Sequence, residues 1–302
     1  QVAREPCTTT LPGNPPAARK ALAVMEECEV EVDHLLIRGV RRPGIGPRCL
    51  ALHGWLDNCG SFATLQHHLP NWDFLAVDLP GHGRSQWLPP ASTYHFVDTV
   101  ARVVQLIRHW AQPRLILLGH SMGGAVATLA ASLAPDQVEA LIILDALGPI
   151  STPDEEARQL FLKALQSRQP YQRRYYASRQ AAIERVRSGG HSQQAAEHLV
   201  ARSLLQCEHG YFFSFDPRLK EVSRARYTES QLKNFLQAIS CPVQVQSFSQ
   251  GLLPKFSPAR QRFEWLPQGQ WVDLEGGHHL HLEQPEPVAR AILDLYLQTS
   301  SR

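Results

Sequence analysis

Gly119-His-Ser-Met-Gly123 places a serine between two glycines at G-x-S-x-G spacing. An alcohol so placed attacks a carbonyl carbon once a base takes its proton, so the chemistry on offer is acyl transfer. The flanks decide whether Ser121 can be presented at all. Arg114-Leu-Ile-Leu-Leu118 is a short aliphatic run of the kind that forms a buried strand, and Ala125–Ala134 is a good helix former closed by Pro135. Strand, tight turn and helix make a nucleophile elbow, in which the turn strains the serine backbone and lifts its Oγ clear of the sheet. Gly119 and Gly123 belong where strand and helix pass too close for a Cβ.

Two further strings offer the remaining parts in a fitting order. Arg48-Cys-Leu-Ala-Leu-His-Gly54 reads as a second buried strand ending in His53-Gly54-Trp55. A loop in that place helps to bind an oxyanion, so the expected donors are the backbone N–H groups of Trp55 and of Met122, which follows the serine. Near the C-terminus, Glu275-Gly-Gly-His278-His-Leu-His-Leu-Glu-Gln-Pro285 follows the strand-like Gln270–Leu274. It offers His278, His279 and His281 as candidate bases on a loop after the last strand.

The elements that must position these groups alternate. Strand patterns cover Glu29–Arg38, Arg48–His53, Phe74–Asp78, Arg114–Leu118, Ala140–Leu144, Val243–Phe248 and Gln270–Leu274. Helical patterns cover Ser61–Leu69, Tyr94–Ala111, Met122–Ala134, Ser257–Arg262 and Pro285–Leu297. Such alternation predicts an α/β fold, a mostly parallel sheet with helices on both faces. Between Gly148 and Cys241 it stops. Helices are expected there over Pro153–Gln166, Tyr171–Arg187, Ser192–Cys207 and Thr228–Ala238. The expected division is a core of residues 25–150 and 241–302 with a helical segment 151–240 inserted after the sixth strand. Phe212, Phe213 and Phe215, in an aromatic cluster of this segment, are candidates for lining an apolar substrate pocket.

Of 302 residues, 43% are hydrophobic and 19% charged, as in ordinary globular proteins. Thirty basic against 28 acidic residues leave a net charge of +2, which argues against a nucleic-acid or membrane-surface partner. No apolar run approaches the ~20 residues of a membrane helix. Residues 151–240 hold 14 Lys/Arg against 9 Asp/Glu, an excess that fits a solvated face and offers a weak preference for anionic substrates. The six cysteines (7, 28, 49, 59, 207 and 241) show no C-x-x-C or metal spacing. They read as reduced thiols of a cytoplasmic protein. The adjacent pairs His67-His68 and His278-His279 do not converge on one ligand from a regular helix, so neither metal nor cofactor is expected. Pro12-Gly-Asn-Pro-Pro16 cannot hold regular structure, and residues 1–24 are expected to form a flexible arm.

The span of roughly residues 28–298 resembles the α/β-hydrolase fold superfamily. Leu52-His-Gly-Trp-Leu-Asp-Asn58, Gly119-His-Ser-Met-Gly-Gly124 and Leu144-Asp145 resemble the serine hydrolase-like proteins within it. The resemblance makes the inserted segment a cap over the active site, and gives Asp78-Leu-Pro-Gly-His-Gly-Arg-Ser85 the superfamily's D-x-x-G-x-G-x-S turn, a structural element with His82 solvated or at the pocket. The superfamily's base follows the Gly of G-H-x-x-H-x-E-x-P, which selects His278, leaves His281 buried and points His279 elsewhere. Its acid commonly follows the strand after the cap. Here Ser249-Gln-Gly-Leu-Leu253 holds no carboxylate, so Asp145 at the end of the sixth strand is the favoured orienting acid, with Glu275 behind it. Haloalkane dehalogenases and epoxide hydrolases of this fold use Asp at the elbow, so Ser121 favours acyl chemistry. The expected activity is cleavage of a carboxylic ester or thioester through an acyl-enzyme, on a small-molecule substrate with an apolar acyl part. A C–C bond hydrolase or lactonase with the same triad, and a non-catalytic binding protein of this fold, are the alternatives.

Overall fold

In a computed structural model, residues 26–167 and 173–300 are described; the expected N-terminal arm lies outside them. The main sheet has eight strands: β1 Glu26–Val32, β2 Leu35–Arg42, β3 Arg48–Leu52, β4 Asp73–Val77, β5 Leu115–His120, β6 Val138–Leu144, and two later strands, β9 Val243–Phe248 and β10 Gly269–Leu274. Their order is β1-β2-β4-β3-β5-β6-β9-β10. β1–β2 and β2–β4 pair antiparallel and every other pair is parallel.

Side-chain alternation along the buried strands explains the two-faced core. Leu50, Leu52, Leu117 and Ile143 point to one face, where they meet Val100, Val104 and Val126. These come from helices α1 Phe96–Trp110 and α2 Met122–Leu133. Cys49, Ala51, Ile116 and Ile142 point to the other face and meet Val288 and Ile292 of the C-terminal helix Pro285–Ser300. Strands buried on both faces read as unbroken apolar runs, which is why the central ones were visible in the sequence.

Three elements differ from expectation. The strand expected over Glu29–Arg38 is two strands joined at Asp33 and His34, whose φ angles of 52° and 59° match the two-residue turns that suit hairpin twist. The helix expected over Ser61–Leu69 is a pair of short 3₁₀ turns, Cys59–Phe62 and Leu65–His68. The helix expected to run to Cys207 stops at Ser203, and the chain enters a hairpin of β7 Leu204–Cys207 and β8 Gly210–Phe213. Aromatic Tyr211-Phe-Phe213 favours a strand, and its partner Leu204 packs against Ile183 and Val200.

That hairpin belongs to the segment between β6 and β9, with helices α3 Ala157–Gln166, α4 Arg179–Arg187, α5 Gln193–Ser203 and α6 Glu229–Gln237. Buried charges tie the segment to the sheet. Arg202 Nε of α5 donates to both carboxylate oxygens of Asp78, at 3.0 and 2.8 Å, just after β4. Asp78 also accepts the Cys59 and Arg84 backbone N–H groups, each at 2.8 Å. Arg262, fully buried on the following helix α7 Ala259–Glu264, donates to Glu229 of α6 and to the carbonyls of Leu147 and Pro149. One guanidinium therefore holds the chain where it leaves β6 and where it nears β9. Among the described residues no helix is long and apolar enough to cross a membrane.

Removing one partner of a buried ion pair strands the other charge. Arg202→Met is expected to cost about 3–5 kcal/mol in urea unfolding followed by circular dichroism. Glu27, which also accepts from Arg202 but is 55% exposed, should lose under about 1 kcal/mol on Glu27→Gln.

Candidate active site

Ser121 alone turns the chain from β5 into α2, at φ 51° and ψ −118°. Residues with a Cβ avoid that region, and they persist there only when their surroundings over-determine them. Here Ser121 N–H donates to Leu144 O at 3.0 Å, and its carbonyl accepts Ala125 N–H at 3.0 Å. A Cβ on Gly119 would stand 2.4 Å from Gly123 O, and one on Gly123 would stand 2.0 Å from Leu52 O. The glycines allow β3, β5 and α2 to meet, and their meeting fixes the serine. Met122 opens α2, so its backbone N–H has no partner inside the helix.

The loop after β3 lies against the elbow: a Cβ on Gly54 would be 3.3 Å from Ser121 Cβ. Buried His53 pins this loop, donating from Nδ1 to Gly54 O at 2.7 Å and accepting Leu79 N–H on Nε2 at 3.0 Å. Both ring nitrogens are used by neutral imidazole, and burial lowers the pKa of His53 further. Trp55 donates from Nε1 to Leu219 O at 3.0 Å, linking the loop to the inserted segment.

Asp145 follows β6 directly, at φ 50° with its side chain buried. Its Oδ2 accepts Leu252 N–H at 2.6 Å, and its Oδ1 accepts Leu253 N–H at 3.0 Å and Phe248 N–H at 3.4 Å. His278 Nδ1 donates to the same Oδ2 at 2.5 Å. A carboxylate only accepts, so the proton sits on Nδ1 and the Nε2 lone pair is left free to act as a base. The turn after β9, which holds no carboxylate, thus lends its N–H groups to one from the neighbouring strand. Glu275 is exposed, and His278 is paired with Asp145. His278 is held a second time, through its carbonyl, by His120 Nε2–H at 2.8 Å.

Ser121, Met122, Trp55 and Asp145 line one cavity of about 1380 Å³ between the carboxyl ends of the central strands and the inserted segment. Phe96, Leu160, Leu219, Tyr227 and Phe256 supply apolar wall. The segment carrying these features, residues 50–261, matches the family model for the α/β hydrolase fold. A serine hydrolase-like protein of Danio rerio is 32% identical over 275 residues, 86% of this chain and 84% of its own length. The chain is a serine hydrolase-like protein of the α/β-hydrolase fold family. Among solved structures, a hypothetical protein of Pseudomonas aeruginosa is similar at TM-score 0.83 and 32% identity, over 92% of this chain and 100% of that one. A thioesterase domain from the curacin biosynthetic pathway is similar at TM-score 0.78 and 26% identity, over 89% and 99%.

Within this hydrolase-fold chain, the aromatic cluster is not where the sequence put it. Phe212, Phe213 and Phe215 are not among the cavity-lining residues. Phe212 is 3% exposed with the Arg173 guanidinium over its ring, Phe213 meets Tyr176 edge-on, and Phe215 stacks on Phe213. Phe212 is buried and Phe213 and Phe215 half-buried, and their ring contacts lie within the inserted segment, where β8 pairs with β7. The wall residues from α1, α3 and the Tyr227 region carry no motif, and only the fold reveals them. His82 is neither solvated nor at the cavity. It is buried edge-on to His53, and burial together with that neighbour pushes its pKa down to about 3.

The other two histidines of the C-terminal loop serve separate contacts. His281 is buried with Nε2 at 2.9 Å from Ser61 Oγ. His279 Nε2 meets Asp57 Oδ2 at 3.1 Å. Burial opposes charge on both members of that pair, yet each offsets it for the other: the Asp57 carboxyl is held well below the usual range and the His279 imidazole is raised.

A Cβ on Gly251 would stand 2.0 Å from Asp145 Oδ2. Gly251→Ala is expected to push the carboxylate off His278 and lower p-nitrophenyl ester turnover roughly 100-fold or more, as misplacement by about 1 Å does. Circular dichroism should stay native. Full turnover in this variant would show that the position of Asp145 does not matter.

Proposed function

We propose that this chain hydrolyses a carboxylic ester or thioester with an apolar acyl part, through an acyl-enzyme on Ser121. The observation that carries the reading is the Asp145 carboxylate, held by backbone N–H groups and bonded to His278 Nδ1 at 2.5 Å. Such a pair fixes the tautomer of a base and stabilises the imidazolium formed when it takes a proton. The strained backbone of Ser121, on the wall of the same cavity, is the second support.

In this mechanism His278 Nε2 takes the hydroxyl proton as Ser121 Oγ bonds to the substrate carbonyl carbon. The carbonyl oxygen becomes an oxyanion, which accepts the backbone N–H groups of Met122 and Trp55, worth ~3–4 kcal/mol each to the transition state. Collapse breaks the bond to the alcohol or thiol, which leaves with the proton from His278. Water then attacks the acyl-enzyme by the same steps, releasing the acid and restoring Ser121.

The inserted segment, residues 151–240, acts as the cap. Trp55, Val97, Ile150 and Leu252 line the cavity and are about half exposed, so its mouth offers apolar surface to an acyl chain. Similarity to the curacin thioesterase domain keeps thioesters beside oxygen esters. The five described cysteines are unpaired, which suits the reducing cytoplasm.

Ser121→Ala is expected to abolish p-nitrophenyl ester turnover and labelling by a fluorophosphonate while the far-ultraviolet circular dichroism stays native; undiminished turnover would end the serine-nucleophile reading. Asp145→Asn removes the acceptor for His278 Nδ1–H and should lower kcat by about 10⁴-fold. Leu160→Trp narrows the cavity from the α3 side and should shift preference toward shorter acyl esters. An unchanged chain-length profile would remove α3 from the acyl site.

A further inference from the structure

We propose that Asp57, His120 and His279 form a binding site for one divalent transition-metal ion of the zinc class. The site lies where the oxyanion loop, the elbow and the histidine loop meet. Nothing in it depends on the hydrolytic reading, because none of the three is assigned to the triad or lines the cavity.

The argument begins with His120. Its side chain is fully buried, and its Nε2 lies 2.8 Å from His278 O. A carbonyl only accepts, so the His120 proton is on Nε2 and Nδ1 carries a lone pair. That buried lone pair has no hydrogen-bond partner. It faces Asp57 Oδ2 at 3.9 Å, so a lone pair and an anionic oxygen confront each other with no proton between them. A cation is the species that satisfies both. His279 Nε2 is on the same oxygen at 3.1 Å, and the three donor atoms lie within 4.8 Å of one another.

Zinc bonds of about 2.0–2.2 Å in a tetrahedron place neighbouring ligand atoms about 3.3 Å apart. The 3.1 and 3.9 Å separations bracket that figure, and the third, between the two imidazole nitrogens, is no more than 4.8 Å. Two imidazoles with one carboxylate select the zinc class over magnesium or calcium, which take oxygen donors. Gly54 leaves room beside the ligands: a Cβ there would stand 3.1 Å from His120 Nδ1 and 3.2 Å from Asp57 Oδ2. The ring of His191 packs 4.2 Å from that of His279 and holds it in place. An ion here would replace the proton shared by His279 and Asp57 and tie three loops together.

The test is titration of chelator-stripped full chain with zinc chloride by calorimetry, with magnesium chloride in parallel. Expected are one zinc per chain, a Tm that rises with free zinc, and no magnesium binding. X-ray absorption should show nitrogen and oxygen ligands at about 2.0–2.1 Å with imidazole scattering. His279→Gln, whose side chain is partly exposed, should weaken binding by at least about 100-fold, as should Asp57→Asn. His68→Gln, at the surface, should leave it unchanged. No stoichiometric zinc binding, binding that survives His279→Gln, binding lost on His68→Gln, or a sulfur ligand in the absorption spectrum would each overturn the site.

Discussion

The site depends on one carboxylate being held still. Asp145 reaches from the end of β6 into the turn after β9, where three backbone N–H groups and one imidazole converge on its two oxygens. Charge-assisted bonds of this kind are stronger than neutral ones and fix direction as well as distance. β6 and β9 are adjacent and parallel, so the end of one strand falls beside the turn leaving the other. The turn needs Gly251 because any Cβ there would occupy the space of Asp145 Oδ2. An acid placed on β6 and a glycine placed after β9 are thus one feature divided between two strands.

A second constraint is steric. Ser121 adopts a backbone conformation that serine avoids, and the strain is sustained by packing: Gly119, Gly123 and Gly124 let α2 press on β3 and β5 closer than any side chain permits. The loop carrying Trp55 lies against the same elbow, where a Cβ on Gly54 would be 3.3 Å from Ser121 Cβ. Trp55, Ser121 and Asp145 therefore stand just beyond the ends of three neighbouring strands, β3, β5 and β6, in the crevice outside the carboxyl ends where open α/β sheets place their ligands.

Of the residues brought together here, Ser121 has a local signature in its glycines, whereas His278 and Asp145 were singled out by resemblance to the superfamily, whose His follows a Gly and whose usual acid position, in the turn at Ser249–Leu253, is empty here. What failed was long-range. The aromatic run at 211–215 looks alike as pocket wall or as interior, and pairing with β7 decided for interior. Asp57 and His279 are 222 residues apart, so no spacing rule links them. The bend at Asp33-His34 escaped because strand-forming residues stand on both sides of it, while the turn is made by backbone angles that carry no strong residue signature without glycine or asparagine.

The inserted segment is where sequence says least, since the cavity-wall residues it supplies carry no motif. Its attachment is not loose. Arg262 bonds the chain leaving β6 and, through Glu229, the helix that precedes β9, and Arg202 anchors α5 to Asp78 at the far side of the site. Trp55 then joins the loop after β3 to Leu219 of the segment. A shift of the segment therefore moves the loop that lies against Ser121, so the cavity wall and the surroundings of the elbow are mechanically coupled.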